Sequence, residues 1–244
     1  MQKIEYLAIP NFPLIKTGDN ISQVILDSCN SNNIDIKPND IIVIAQKIVS
    51  IAEDAIVNLN NVIASAEAQK MAEKTGRSPE ECQVFLDESS EILDIIGRHV
   101  ITRHKIGYVC TSAGIDKSNV SDKKNRLVTL LPKNPDESAR KIRHQIALST
   151  GINTAVIIID SMGKPYRRGS IAEAIGIAGI KALEEKESVD LYGNSSKSQV
   201  ALVDEVAAGA SILMGEANEK TPVIIVRGVT YTRSENANIK DLLK

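Results

Sequence analysis

The sequence predicts an α+β fold in which mixed sheets pack against helices. Short β-branched runs at 41–45, 155–159 and 223–226 predict buried strands. Segments with helical spacing and recognisable caps, above all 134–151, lie between such runs. The strands and helices alternate irregularly and not in strict βαβ order, which favours α+β over a doubly wound parallel sheet.

Composition excludes several classes of protein. The 244 residues carry a net charge of −2, and 43 % are hydrophobic, as in an ordinary globular chain. The charge balance lacks the basic stripe of a nucleic-acid-binding protein, and the apolar runs are too short to span a bilayer. No signal peptide is recognisable at the N-terminus. We therefore expect a cytoplasmic protein without nucleic-acid or membrane partners.

The three cysteines are odd in number and widely spaced. Cys29, Cys82 and Cys110 form no C-x-x-C pair, so neither a disulfide framework nor a zinc site is expected. Buried free thiols are the predicted state.

In the first half of the chain, the pattern predicts a strand at 3–9, a helix from Ile21 and a buried strand at 41–45. The β-branched stretch 47–57 is predicted to continue as extended structure. Helical spacing covers 61–76. A second helix begins at the capping box of Ser78 and Glu81 and is predicted to run towards Leu93.

In the second half, short strands are predicted at 99–103, 106–112 and 126–131. A helix at 134–151 begins at Asn134 and ends at Gly151. A strong strand follows at 154–163. The segment 170–187 is ambiguous, because its propensity favours a helix and its glycines favour a strand. A helix is predicted at 198–214 and a strand at 222–229, followed by a polar, peripheral tail from Thr232.

Several common catalytic motifs are absent from the sequence. It contains no G-x-x-x-x-G-K-[ST] phosphate loop, no G-x-G-x-x-G fingerprint and no G-x-S-x-G nucleophile elbow. The histidines, His99, His104 and His144, lack a metal-ligand spacing and are interpreted as surface or packing residues.

Carboxylates follow the ends of apolar segments at three places. Asp160 comes directly after a buried strand, Asp116 follows another strand, and Glu216 follows a helix. Oxygen ligands in such positions suit magnesium or manganese, which share them with substrate phosphates. Each acid alone is more often a turn or cap residue, so both interpretations stay open.

The segment 160–170, DSMGKPYRRGS, gathers polar groups directly after a strand. It contains an acid, a hydroxyl, a glycine and three cations, Lys164, Arg167 and Arg168. Arginines bind phosphate or carboxylate groups by paired hydrogen bonds. The alternative is a solvated basic loop.

With these residues in view, the sequence resembles the coenzyme F420-0:gamma-glutamyl ligase family along essentially its whole length. The matching blocks are FPLIKTGD, DIIVIAQKIVSIAED, CTSAGIDKSNV, VIIIDSMGKPYRRG, AIGIAGI, DLYG, DEVAAGASILMGE and PVIIVRG. Their order and spacing make the resemblance specific, whereas no single block would suffice.

The resemblance implies a single ligase domain over 1–244 in its stand-alone form. It implies an α+β fold with two intertwined subdomains that works as a homodimer. The implied activity adds L-glutamate to a deazaflavin coenzyme precursor at the expense of GTP, through an acyl phosphate. The implied cofactors are two divalent cations, manganese or magnesium, with potassium as a further cation.

The resemblance also implies roles for individual residues. Asp116, Asp160 and Glu216 are expected to be catalytic and, with Ser161, to be the metal ligands. Arg167 and Arg168 are assigned to an anionic group of the substrate. The expected GTP contacts are Phe12, Pro13, Leu14, Ile15, Gln46, Lys47, Asn119, Met214, Gly215, Ala217, Asn218, Glu219, Lys220 and Thr221.

The sequence departs from the family pattern at cationic positions. Ile51 stands where a lysine is usual, Lys164 replaces an arginine, and Asn194 stands where arginine is common. These changes leave two alternatives open. One is a ligase of the same fold that acts on a different carboxylate acceptor, and the other is a nucleotide-binding protein without ligase activity.

Overall fold

The computed structural model describes residues 3–120, 125–163 and 168–243, and it is α+β as predicted. The helices are α1 (Ile21–Ser31), α2 (Gln46–Ala52), α3 (Ala66–Thr75), α4 (Pro79–Glu88), α5 (Pro135–Thr150) and α6 (Leu202–Met214). The strands are β1 (Glu5–Ala8), β2 (Ile41–Ala45), β3 (Ile56–Asn58), β4 (Ser89–Ile96), β5 (His99–His104), β6 (Val109–Thr111), β7 (Leu127–Thr129), β8 (Ala155–Gly163), β9 (Ser170–Ala178), β10 (Glu184–Val189), β11 (Ser195–Val200) and β12 (Val223–Arg227).

A five-stranded sheet forms the centre of the protein, in the order β1-β12-β2-β8-β9. Its one parallel pair is β2 with β8, and the other neighbours are antiparallel. Strands β2 and β12 are buried along nearly their whole length, and β8 is buried from Ala155 to Ile159. Buried parallel strands read as continuous apolar runs, which is why the sequence pattern found them.

Helices α1, α5 and α6 cover this sheet. Helix α5 packs on β8 and β9 and also contacts α1, while α6 packs chiefly on β9 and β12. The boundaries of α5 are those predicted, because Asn134 accepts from the backbone N–H of Glu137 and Gly151 has a positive φ of 72°. Close packing on β9 requires Gly176, since a Cβ there would lie 2.5 Å from the backbone of Pro135. The ambiguous segment 170–187 is therefore largely strand.

A smaller apolar cluster lies between the α3–α4 pair and the β4-β5-β6 sheet, with Phe85 and Val100 at its centre. Strands β3 and β7 form a two-stranded ladder, and β10 and β11 form an exposed hairpin. The predicted burial of the thiols is confirmed, because Cys29, Cys82 and Cys110 are all free and buried. In the described ranges, no helix is long and apolar enough to cross a membrane.

The extended structure predicted for 47–57 is wrong over most of its length. Helix α2 begins at Gln46, directly after β2, and only Ile56–Asn58 is strand. The β-branched residues favour a strand, but burial of Ile48 and Val49 in the central core stabilises the helix instead. Inside α2, the Ser50 hydroxyl donates to Gln46 Oε1 at 2.8 Å.

Other predicted boundaries are also wrong. The helical pattern at 61–76 gives a helix only from Ala66, and α4 ends at Glu88, where β4 begins to pair with β5. The helix predicted from 198 begins at Leu202, since the preceding residues belong to the β10–β11 hairpin. The C-terminal tail is not wholly peripheral, because Ala237 and Ile239 are buried in the central core.

A buried ion pair joins β12 to the start of β2 and gives a stability prediction. Arg227 donates from Nε and Nη2 to the two carboxylate oxygens of Asp40, at 2.9 and 2.8 Å, and the Asp40 side chain is 1 % exposed. Arg227→Met leaves that carboxylate buried without its cation. We expect it to lower the free energy of unfolding by about 3 to 5 kcal/mol in urea titrations.

The matched control is Arg103→Met, which removes a surface pair with Glu91 at 3.4 Å. Exposed pairs contribute less than about 1 kcal/mol, so this variant should unfold almost like the wild-type protein. If both variants lowered the free energy of unfolding equally, the Asp40–Arg227 pair would not have the stabilising role assigned to it.

Candidate active site

The site lies at the edge of the central sheet where β2 ends and its parallel pairing with β8 stops. Ala45 pairs with Ile159, the next residue Gln46 begins α2, and Asp160 continues in β8, where it pairs with Glu173 of β9. Parallel neighbours bring their carboxyl ends to the same edge, which is a common place for a binding crevice. Gln46 and Asp160 are therefore neighbours at this edge, and the Gln46 side chain hydrogen-bonds the Asp160 carboxylate.

A large cavity of about 810 Å³ opens at this edge. It is lined by all the residues predicted to contact GTP, from the segments 12–15, 46–47, 119 and 214–221. The acids Asp116, Asp160 and Glu216, and Ser161, line it as well. The structure thus brings together residues from five separate parts of the chain.

Hydrogen bonds between loops give the cavity its shape. The Phe12 N–H donates to the Lys220 carbonyl at 3.1 Å, which joins the N-terminal loop to the segment after α6. The Asn119 side-chain amide donates to the Ala217 carbonyl at 2.8 Å. These contacts close the rim between the segments 12–15, 116–120 and 214–222.

Lys47 forms an ion pair with one of the two aspartates. Its Nζ lies 2.7 Å from Asp116 Oδ2 and also donates to the Ser118 hydroxyl. Burial alone would raise the pKa of Asp116, but the hydrogen bonds from Lys47 and Ser118 and the Lys47 charge outweigh it and hold the pKa below its usual value. Asp116 is therefore ionised near neutral pH.

The pKa of Asp160 is shifted in the opposite direction. Burial is the largest cause and the nearby charge of Asp116 the second, and together they raise the pKa of Asp160 to about 7. Hydrogen bonds from the Ser161 backbone and the Gln46 side chain, and the charge of Lys47, oppose this only partly. Two aspartates that resist simultaneous ionisation form a site that favours a cation.

This shift predicts a pH-dependent stability. Asp160 binds its proton more tightly in the folded protein than in the unfolded chain, so the metal-free protein should lose stability as pH rises from about 4 through about 7. Asp160→Asn removes the titration. We expect the melting temperatures of this variant and of the wild type in chelator to be most similar near pH 4, and that of the variant to be clearly higher near pH 8. If the melting temperatures of the two proteins changed with pH in parallel, the raised pKa of Asp160 would be contradicted.

Glu216 reaches the site through Ser161. The Ser161 hydroxyl donates to Glu216 Oε1 at 2.8 Å, which links the end of β8 to the loop after α6. Across residues 3–120, 125–163 and 168–243, no three His, Cys, Asp or Glu side chains lie close enough to bind a metal by themselves. The metal ligand set of Asp116, Asp160, Ser161 and Glu216 stays a prediction.

A second, smaller pocket of about 120 Å³ lies beside the large cavity. The ends of β6 and β8 and the segment 114–116 line it, and it shares Asp116, Asp160 and Ser161 with the large cavity. Thr111 and Gly163 are on its wall. No local sequence pattern indicates this pocket.

Of the two predicted substrate arginines, the structure describes only one. Arg168 is exposed and lines neither cavity, and Arg167 lies outside the described residues. Conversely, the structure adds residues that sequence reasoning missed, including Ser118 and the apolar Ile48 and Ile56. Ser118 stands two residues after Asp116, and its N–H donates to Asp116 Oδ1 at 2.6 Å. An aspartate side chain commonly accepts from the backbone two residues later in a turn, so the sequence Asp-Lys-Ser could have indicated this contact.

Comparison with known proteins identifies the family of this site. The family model described as F420-0:Gamma-glutamyl ligase matches residues 10–228, which include every described residue of the large cavity. The chain belongs to this ligase family. The predicted resemblance is therefore confirmed.

Curated members of the ligase family are similar along nearly the full chain. The coenzyme F420:L-glutamate ligase of Methanothermobacter thermautotrophicus is 40 % identical over 244 residues, covering 99 % of this chain and 96 % of the relative. The protein with the same name from Methanocaldococcus jannaschii is 40 % identical, over 100 % of this chain and 94 % of the relative. That of Archaeoglobus fulgidus is 36 % identical over 93 % of this chain and 88 % of the relative.

Proposed function

We propose that this protein is a GTP-dependent ligase that joins L-glutamate to the carboxylate of the coenzyme F420 precursor. The observation that carries the proposal is that the family match and the large cavity coincide in the same residues. The names of the relatives, at 40 % identity over nearly the whole length, support coenzyme and glutamate as substrates. We also propose a homodimer and a single domain, on the family resemblance.

The large cavity suits a nucleoside triphosphate. Its volume of about 810 Å³ is in the range of cofactor sites. Ile48 and Ile56 offer apolar surface for a base, while Lys47 and Lys220 offer charge for phosphates. Nucleotide binding here would not require a phosphate loop, because segments from several parts of the chain would contact the phosphates instead. The choice of guanine rests on the family resemblance.

The residues at the sheet edge also fit divalent metal. Magnesium is usually held by one or two carboxylates together with substrate phosphates and water, so a protein cage of three acids is not required. Asp116 and Asp160 would hold the metal on one side, and Ser161 with Glu216 would complete the site. Bound there, a divalent cation would neutralise phosphate charge during transfer.

The proposed reaction has two steps. A carboxylate oxygen of the coenzyme precursor forms a bond to the γ-phosphorus of GTP as the bond to the bridging oxygen breaks and GDP leaves with its electron pair. The amino nitrogen of glutamate then bonds to the acyl carbon as the carbon–oxygen bond to phosphate breaks, and the proton that the nitrogen loses leaves with phosphate as hydrogen phosphate. In the first step Lys47 orients and neutralises the phosphates, and the loops 12–15 and 214–221 exclude water.

Trapping with hydroxylamine tests this mechanism. The protein is incubated with GTP, manganese, the coenzyme precursor and hydroxylamine, with no glutamate added. An acyl phosphate gives a hydroxamate, which is measured together with the GDP released. We expect equal amounts of both. GDP release without hydroxamate would contradict the acyl phosphate, and hydroxamate from another carboxylic acid alone would favour the different-acceptor alternative.

Ile51 offers a test of the nucleotide position. Its apolar side chain lines the cavity where relatives of the family commonly have lysine. Ile51→Lys adds a cation to a cavity that is proposed to hold phosphates, and at low salt it should tighten GTP binding by about five- to tenfold. Ile51→Met, which keeps the volume without the charge, is the control. Fluorescent-nucleotide titration that finds no tightening in the lysine variant would place the phosphates away from this position.

A further inference from the structure

Helix α4 is connected to the active site although it lines neither cavity. In the described parts of the chain, no residue of Pro79–Glu88 is on the wall of the large cavity or of the small pocket. Glu81, in the first turn of this helix, nevertheless forms an ion pair with Lys117, the residue that directly follows Asp116. Lys117 therefore joins the helix to the segment that carries a proposed metal ligand.

The side chains of Asp116 and Lys117 point to opposite sides of their segment. Asp116 forms a β-bridge with Thr129, through N–H···O contacts of 3.1 and 2.8 Å in the two directions. Consecutive side chains of an extended segment point to opposite faces. The Asp116 carboxylate accordingly meets Lys47 on the cavity side. The Lys117 ammonium meets Glu81 on the side of α4. Fixing Lys117 therefore also fixes the direction of Asp116.

Glu81 is itself held from several directions. Its side chain is 9 % exposed and completes the capping box by accepting from the Ser78 N–H at 3.4 Å. Arg77 Nη1 donates to the same carboxylate at 3.3 Å, and the Arg77 guanidinium lies over the ring of Phe85. Burial alone would raise the pKa of Glu81, but the hydrogen bond and charge of Lys117, with smaller contributions from Ser78 and Arg77, hold it below its usual value. Glu81 is therefore an ionised anchor in a fixed position.

A second ion pair ties the other side of the β-bridge to the same helical turn. Arg126 Nη2 donates to Glu80 Oε2 at 2.9 Å and to the Ser78 hydroxyl at 3.0 Å. Arg126 stands directly before β7, whose Thr129 forms the bridge with Asp116. Both side chains of this pair are partly exposed, so solvent weakens it. The first turn of α4 thus anchors both segments that meet in the bridge.

We propose that Glu81 is a positioning residue for the nucleotide and its metal, and that it acts through Lys117. The role rests on the proposed function and extends it to a helix outside both cavities. Asp116 is a proposed metal ligand, and Ser118 and Asn119 line the large cavity directly after Lys117. Without the ion pair, the bound ligands have to order this segment themselves, and the cost of that ordering lowers their affinity.

Two substitutions remove the ion pair and little else. Glu81→Gln keeps the capping box, because glutamine also serves at that position. Lys117→Met removes the cation and keeps the apolar stem, whereas Lys117→Arg keeps a cation and is the conservative variant. The matched control is Glu137→Gln, since Glu137 is the third residue of α5 as Glu81 is of α4. Glu137 pairs with Arg140 on the surface, at 3.3 Å.

The experiment measures affinity and rate separately. A fluorescent, non-hydrolysable GTP analogue is titrated with manganese present, and bound manganese is measured by electron paramagnetic resonance. We expect Glu81→Gln and Lys117→Met to weaken both affinities about five- to tenfold, and the double variant to lose no more than either single one. With saturating GTP and manganese, their rates of hydroxamate formation should stay within about twofold of wild type. Lys117→Arg and Glu137→Gln should bind both ligands like the wild type.

Four results would overturn the positioning role. A lower rate at saturation with unchanged affinities would make the pair a structural contact only, because loss of folded protein lowers the amount of active enzyme and not its affinity. Additive losses in the double variant would show that Glu81 and Lys117 act separately. Affinities of Glu81→Gln equal to those of Glu137→Gln would exclude Glu81 from any role in the site. A wild-type protein that binds no GTP analogue would overturn the proposed function and the positioning role together.

Discussion

Asp160→Asn is expected to reduce product formation by about a thousandfold or more, the largest effect of any single substitution considered. Asp160 lies in β8 directly after the last residue that pairs with β2, close to Gln46 and Asp116, on the wall that both cavities share. The amide has the same shape but lacks the charge that a divalent cation requires. The rate is measured with saturating GTP, manganese, precursor and glutamate.

A stability measurement distinguishes a loss of activity caused by the missing charge from one caused by misfolding. Burial and the charge of Asp116 raise the pKa of Asp160, so the uncharged asparagine should not destabilise the metal-free protein near pH 8. Glu216→Gln provides an independent second variant, since Glu216 reaches the site through Ser161. Near-normal activity in either variant, with magnesium or manganese present, would contradict the metal assignment.

Lys47→Met should lower the turnover number about a hundredfold while the protein stays folded. The Lys47 ammonium lies 2.7 Å from Asp116, and its side chain is 20 % exposed at the cavity wall. Methionine keeps the apolar stem and removes the only cation in contact with the aspartates among the described residues. Phosphates entering the cavity would then lack a charged partner on the protein.

The matched control is Lys141→Met on the exposed surface of α5, where the lysine lies 4.0 Å from Glu137. It removes the same charge at a distance from the site and should leave turnover unchanged. Lys47→Arg should recover part of the activity, because it restores the charge with a different geometry. Similar turnover in Lys47→Met and Lys141→Met would exclude a role for Lys47 in phosphoryl transfer.

The sequence predicts elements well where their signals are local. Helix α5 begins and ends as predicted because Asn134 and Gly151 cap it within their own turns. Helix α2 was missed because its helical state depends on Ile48 and Val49 packing into the distant core. The hairpin β10–β11 was missed because its exposed, polar residues carry no apolar alternation.

The same distinction holds for the site. Asp160 could be picked out because it follows a long buried strand, and the order of the family motifs supplied the loops around it. The ion pair of Lys47 with Asp116 and the small pocket could not be predicted from local pattern. They depend on how α2, the left-handed loop Ser112–Gly114 and β8 meet in space.

The most direct test of the account is an endpoint assay by mass spectrometry. Purified protein is mixed with GTP, manganese, L-glutamate and the coenzyme precursor, and the Asp160→Asn variant serves as the matched blank. We expect a product heavier by one or more glutamyl residues, formed only by the wild-type protein and only with nucleotide present. A folded, metal-loaded wild-type protein that leaves the precursor mass unchanged would contradict it.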